Sequence, residues 1–222
     1  MKKKMIVLCA LMAFALVTGC TKQEETKEEV QNQEDIVVEE ETVVMPLPAT
    51  IDVNNMSDCI AAISLSDKDA FFIEEGKVQM KVKVWTYDLY DMVDISMLEE
   101  GSLIQIREET VEVSSLKVVD NGVLINGGLD NGGYELRTNE DNVYYEIGYS
   151  DKLAYYELGE AVLTVAEDFT FIDSSDLDKG EMTYTIEDLQ NNEDIYFNFN
   201  PDNTKIVIEK DKIVVMERVY TP

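Results

Sequence analysis

Histidine is absent from all 222 residues. With it go the commonest general base near neutrality, the commonest transition-metal ligand and every Ser-His or Cys-His nucleophile arrangement. Positive charge is scarce: 18 Lys and Arg stand against 46 Asp and Glu, for a net charge of −28. Affinity for phosphodiester backbones comes mainly from Lys and Arg displacing condensed counterions, so a nucleic-acid partner is excluded. Beyond residue 20 the single cysteine is Cys59, which leaves no intramolecular disulfide there and makes the apolar core responsible for stability. Its setting, Cys59-Ile60-Ala61-Ala62-Ile63, is that of a buried free thiol.

One long apolar run is present, at the N-terminus. Lys2, Lys3 and Lys4 precede Met5 to Val17, the layout of a secretory signal peptide. The run falls short of the roughly 20 residues that a spanning helix needs. It ends in Val17-Thr18-Gly19-Cys20, which resembles the lipobox of bacterial lipoproteins. That resemblance implies that residues 1–19 are removed, Cys9 among them, and that Cys20 carries a diacylglycerol. The expected location is the extracellular face of the cell membrane, with the lipid as membrane partner.

Residues 20–45 then read as a tether. From residue 21 the segment holds nine acids against Lys22 and Lys27, without an aromatic or a glycine. Such a chain cannot bury enough apolar surface to offset its ordering entropy and is expected to stay solvated and self-repelling. Pro46 and Pro48 mark the entry to the folded region, which is placed at 46–222. Its 13 basic and 37 acidic residues leave it with a charge of −24. The length suits one core, or two subdomains sharing an interface.

Periodicity in this region is that of strands. Val78, Met80, Val82 and Val84 alternate with Gln79, Lys81 and Lys83, which predicts a half-buried strand. Period 2 returns at Ser102 to Ile106, Thr110 to Leu116 and Val143 to Tyr149. Asp120-Asn121-Gly122 predicts a hairpin in which Asn and Gly take positive φ, and Lys210-Asp211 predicts another near the C-terminus. Turns eight to twelve residues apart favour an all-β fold, a mostly antiparallel sandwich or barrel-like structure with one or two short helices. Thr185 with Asp188 resembles a capping box before a short helix. Ser57 to Ser64 suits a short helix or a strand, with the helix preferred. Asn126 to Gly133 repeats Asn-Gly-Gly and reads as a wide, flexible turn.

Three groups carry candidate chemistry. Asp173, Asp176 and Asp178 lie in an acidic stretch, Asp168 to Asp178, read as a loop; its carboxylates would suit Ca²⁺, which takes six to eight oxygens, although EF-hand spacing is absent. Asp88, Asp91 and Asp94, interleaved with Tyr87 and Tyr90, contain the paired carboxylates of a glycosidase only if they stand across a cleft. Tyr144, Tyr149 and Tyr156, with Tyr145 and Tyr155, fall in a stretch read as a hairpin around Ser150-Asp151-Lys152. Strand alternation would expose one face of it as a platform for a glycan or protein ligand, or use the rings as cross-strand pairs.

Leu98 to Ile106, Ile125-Asn126-Gly127-Gly128 with Gly132 to Arg137, Glu157-Leu158-Gly159-Glu160, Phe171-Ile172-Asp173 and Asn200 to Thr204 together resemble a group of secreted lipoproteins from Gram-positive anaerobes. The resemblance spans residues 78–222, implies a Gram-positive envelope location and transfers no catalytic residue. The expected function is a cell-surface binding or structural module that catalyses nothing. The alternatives are a calcium-stabilised scaffold and a glycan-active enzyme working with carboxylates alone.

Overall fold

The computed structural model describes residues 42–66, 68–138, 143–191, 195 and 198–221. The signal segment, Cys20 and nearly all of the acidic tether lie outside the described residues. The elements, in chain order, are β1 (Val43–Val44), β2 (Cys59–Ser64), β3 (Phe71–Glu74), β4 (Lys77–Thr86), β5 (Leu89–Asp91), α1 (Met92–Ser96), β6 (Leu103–Ile106), β7 (Glu109–Glu112), β8 (Leu116–Val119) and β9 (Gly122–Ile125). There follow β10 (Tyr134–Thr138), β11 (Val143–Ile147), β12 (Tyr156–Ser174), β13 (Met182–Tyr184), α2 (Ile186–Asn191), β14 (Thr204–Glu209) and β15 (Lys212–Val219). The fold is all-β, mostly antiparallel, with two short α-helices among the described residues.

Five of these strands close on themselves. β2 pairs with β4, β4 with β12, β12 with β15, β15 with β14, and β14 returns to β2. Only β12 and β15 run parallel within this ring. Counting these five alone, the order is 1-2-3-5-4-1, with third and fifth parallel and α2 between third and fourth, the topology of an OB-type barrel. Closure requires β12 to turn sharply. It does so through irregularities in register at Glu157/Gly159 and between Val165 and Thr170, as bulges allow. The second one interrupts the alternation, with Val165 and Ala166 both buried and Glu167 and Asp168 both exposed, after which Phe169 and Phe171 resume the inward phase of Ala161, Leu163 and Val165. Met80, Val82, Val84, Ile206, Ile213 and Met216 complete the barrel core. The predicted inward face of β4 is therefore as expected.

Residues between β4 and β12, joined by β1 from upstream, form a smaller second layer pair. A five-stranded sheet, β5-β11-β10-β9-β8, carries one side and β1-β6-β7 the other. Tyr90, Ile104, Ile106, Ile125 and Leu136 fill the space between them. β1 runs parallel to β6, matching Val43 to Leu103, so strand pairing is already present upstream of Pro46.

Local signals explain most elements. In α2, Asp188 accepts from the Thr185 amide and hydroxyl, and Thr185 Oγ1 accepts from the Asp188 amide at 3.2 Å, the reciprocal capping expected. Lys210 and Asp211 both take positive φ at the C-terminal hairpin, as a two-residue turn between right-twisted strands demands. Three expectations need correction. Ser57 to Ser64 yields strand β2, because β14 and β4 flank it and supply its ladder partners. At the Asp120-Asn121 turn Asn121 alone of the expected pair has positive φ; Gly122 opens β9, where a Cβ would sit 2.3 Å from the Leu136 carbonyl oxygen. The Asn126–Gly133 segment is a tight 3-10 turn held by Asn126, whose Oδ1 accepts from the Ser114 amide at 2.8 Å and whose Nδ2 donates to the Glu112 carbonyl at 2.9 Å.

Candidate functional site

The acidic stretch is a loop only from its end. Residues 168–174 belong to β12, which carries Asp173 to one end of the barrel beside Arg218 of β15. Arg218 is buried and donates through Nε to Asp173 Oδ1 at 3.0 Å, through Nη2 to Oδ2, and through Nη1 to the Ile195 carbonyl at 3.1 Å. Its guanidinium lies 4.6 Å from the Phe199 ring centroid and 5.4 Å from that of Phe171. Asp176 accepts from the Asp178 amide and pairs with Lys179 at 3.0 Å. The three acids do line one cleft of about 850 Å³. They do not form a ligand set: among the described residues no three acidic or cysteine side chains converge to hold a metal ion. The physical reason is that Asp173 already spends both oxygens on Arg218. Millimolar Ca²⁺ is accordingly expected to raise the unfolding temperature no more than NaCl of matched ionic strength. A calcium-specific rise of several degrees in a melting experiment would restore the cation site.

The tyrosines are dispersed as well. A short reversal exists at the expected place, with the Gly148 amide donating to the Lys152 carbonyl at 2.7 Å. The strand that follows, β12, leaves β11 and pairs with β4. Tyr144 packs against the second core, Tyr149 stands exposed on a 3-10 turn, and Tyr156 donates to Asp88 Oδ1 at 2.8 Å. The expected platform of these three is therefore not formed.

Of Asp88, Asp91 and Asp94, the first two have structural duties. Asp91 caps α1, accepting from the Val93 amide at 2.7 Å. Asp88 is buried, and besides Tyr156 it accepts from the Arg107 amide at 2.6 Å and the Tyr90 hydroxyl at 3.2 Å. Arg107 in turn grips buried Glu146 with Nε at 3.1 Å and Nη2 at 2.8 Å. Burial pushes the Glu146 carboxyl up, the Arg107 contacts pull it down, and Asp88 raises it again, with the net direction upward. This knot joins β12 of the barrel to β5, β11 and the β6–β7 turn of the second layer pair. It is a joint, closed by its own partners.

A different surface has the character of a binding site. Ala62, Trp85 and Lys205 are register partners on β2, β4 and β14, and all three point out of the barrel because their neighbours Ala61, Val84 and Ile206 point in. Trp85 Nε1 donates to Ser64 Oγ at 2.9 Å, which fixes the indole plane. Beyond it Tyr87 and Tyr155 meet edge to face with centroids 5.4 Å apart. Burial, then Tyr87 and Asp202, push the Tyr155 phenol up to about 12, so it remains a hydrogen-bond donor at neutral pH. The segment 47–51 covers the far side, anchored where the Leu47 amide donates to the Leu89 carbonyl at 2.6 Å. The result is a groove of about 250 Å³. Aromatic and aliphatic groups line it, with Thr50, Thr86 and Lys205 as polar additions and no carboxylate. Aromatic and aliphatic side chains with a few polar groups set among them are the residue types of small-ligand sites, although polar atoms make up about half of the surface that this groove exposes.

Sequence reasoning missed Trp85 and Lys205. The available signal was register: Trp85 continues the solvent-facing series Gln79, Lys81, Lys83, and the chain's single tryptophan at a polar-face position asks for a reason. Comparison with family models, with curated proteins and with solved structures gives no match for this chain.

Proposed function

We propose that this chain is a lipid-anchored binding module on the outer face of a bacterial cell membrane, and that it holds a saccharide in the groove around Trp85 without acting on it chemically. The anchor rests on the lipobox pattern ending at Cys20. The observation that carries the binding reading is the lining of the groove: in a chain with 46 acids, fixed aromatic rings converge at a place free of carboxylates. Sugar rings present flat C–H faces that lie on aromatic rings, while their hydroxyls accept from donors such as the Tyr155 phenol. OB-type barrels serve oligosaccharides and oligonucleotides in other proteins through the face of their second and third strands and adjoining loops, whereas the Trp85 groove lies on the wall of the fourth, first and second strands; fold alone does not decide function, and the net charge disfavours the second class. Carboxylate-only catalysis finds no support here, because the groove offers no acid and Asp88 and Glu146 are sequestered elsewhere.

Trp85 makes the test direct, since it is the chain's sole tryptophan. Titrating the protein with an oligosaccharide panel should shift or quench its emission. Trp85→Ala, followed by calorimetry, is expected to weaken binding by about 2 kcal/mol or more, roughly thirtyfold in Kd. Unfolding temperature should move little, because the side chain lies outside the barrel core. Binding that survives Trp85→Ala at wild-type affinity would remove the groove from consideration.

A further inference from the structure

From the position of Lys205 we infer that the groove selects an acidic saccharide, one sugar ring lying on Trp85 with an anionic substituent reaching Lys205; this rests on the saccharide reading above and adds the charge of the ligand. Three adjacent strands set the geometry. Lys205 is opposite Ala62, and Ala62 is opposite Trp85. At about 4.8 Å per strand, the backbone positions of Lys205 and Trp85 stand roughly 10 Å apart. Between them Ala62 contributes a single methyl group. The surface thus runs from ammonium, over a hollow, to an indole ring, a span that one hexose with a charged exocyclic group fills.

Charge distribution points the same way. Of the described basic residues, Lys81, Lys83, Arg107, Arg137, Lys152, Lys179 and Arg218 are each engaged by a carboxylate. Lys205, like Lys77, Lys117, Lys210 and Lys212, has no such partner within ion-pair distance among the described residues, and of these five it alone lines the groove. Two acids stand near in register. Glu157, opposite Trp85, is held by Lys83 at 2.8 Å. Glu217, opposite Lys205 on β15, is outside the groove lining and does not close on the ammonium. Asp202, which acts on the Tyr155 phenol, is paired with Lys152 at 3.7 Å and is outside the groove lining; acids farther off are screened by salt beyond about 8 Å at physiological ionic strength. An ammonium next to an apolar shelf therefore discriminates locally for a carboxylate or phosphate oxygen despite the overall charge.

The full chain is titrated, with Trp85 emission as readout, against neutral hexose oligomers, uronic-acid oligomers, the same uronic-acid oligomers methyl-esterified, and sugar-phosphate oligomers. The expected result is that an acidic member binds about tenfold more tightly than its neutral counterpart. Lys205→Gln should erase that preference, and Lys117→Gln, on an exposed strand of the second layer pair, should leave it intact. Whether carboxylate or phosphate is preferred identifies the anion. Neutral and esterified members binding as well as acidic ones, unaffected by Lys205→Gln yet lost in Ala62→Leu, would overturn the charge inference and leave the saccharide reading standing. Binding of no member would overturn both.

Discussion

Asp173→Ala is expected to lower the free energy of unfolding by about 3–5 kcal/mol, and the unfolding temperature by roughly 10 °C. The argument starts from Arg218, whose side chain is only 7% exposed. A guanidinium at that depth is tolerable because Asp173 takes two of its N–H groups, the Ile195 carbonyl a third, and Phe171 and Phe199 cover its faces. Removing the carboxylate leaves a desolvated cation whose other contacts, the Ile195 carbonyl and the two rings among them, replace only part of the lost interaction. The double variant Asp173→Ala with Arg218→Met is the discriminating measurement. If the loss comes from a stranded charge, the second change should recover about 2 kcal/mol or more, since an apolar pair of similar volume is often neutral relative to a buried ion pair. Urea unfolding that finds the double variant less stable than Asp173→Ala would mean that Arg218 contributes chiefly as packing against its two rings.

The Arg218–Asp173 pair also shows where reading a sequence stops. Alternation places Met216 and Arg218 on one face of β15, so a basic residue at a core position is visible in the sequence. Its partner is not, because the pair forms across the parallel pairing of β12 and β15, 45 residues apart in the chain. Parallel pairing follows from barrel closure, and closure depends on the bulges in β12, which no local composition announces. The same limit explains the acidic stretch. Phe169 and Phe171 alternate like strand residues, yet the density of acids around them reads as a loop when charge is weighed before period. What was legible is what depends on near neighbours: the alternation of β4, the capping of α2 by Thr185 and Asp188, the turn at Lys210-Asp211, and hence the all-β class. The groove was half legible. Trp85 could be assigned to the outer face from β4 alone, whereas Lys205 and Ala62 join it only through the β14-β2-β4 pairing. The tyrosine platform depends on a single hairpin that alternation alone cannot guarantee; Tyr149 lies beyond the end of β11, and Tyr156 belongs to another sheet.

Arg107→Leu is expected to cost about 2–3 kcal/mol at pH 7 and progressively less as the pH falls toward 4. The magnitude is set below that for a fully buried pair because the Arg107 side chain is 44% exposed, whereas that of Glu146 is 3% exposed. The pH dependence follows from Glu146, whose carboxyl in the fold titrates above its ordinary value of 4.5. A carboxyl raised in this way holds its proton longer in the folded state than in the unfolded chain. Its contribution to stability is therefore full below pH 4.5 and is lost as pH rises through the folded-state value. Without Arg107 the ionised form loses its compensating charge, but the protonated form loses little, so the penalty fades with acid. Asp173 behaves oppositely. Burial pushes it up, but hydrogen bonds from Arg218 and Ser175 outweigh that, and the carboxyl lies below its ordinary 3.8. Its contribution is full above pH 3.8 and fades as pH falls through the folded-state value. The joint contribution of the two knots is largest between pH 3.8 and 4.5, close to the sequence pI of 4.1, where self-repulsion of the acidic surface is also least; the exposed carboxyls Glu160, Asp176 and Asp188, held low by their partners, add stability as pH rises through that range. Urea unfolding across pH 3 to 8 would show the balance. Glu146→Gln should flatten the decline above pH 4.5 while leaving the acid side unchanged, and a Glu146→Gln profile parallel to the wild type above that pH would show that general surface repulsion, and not the buried joint, sets the alkaline limb.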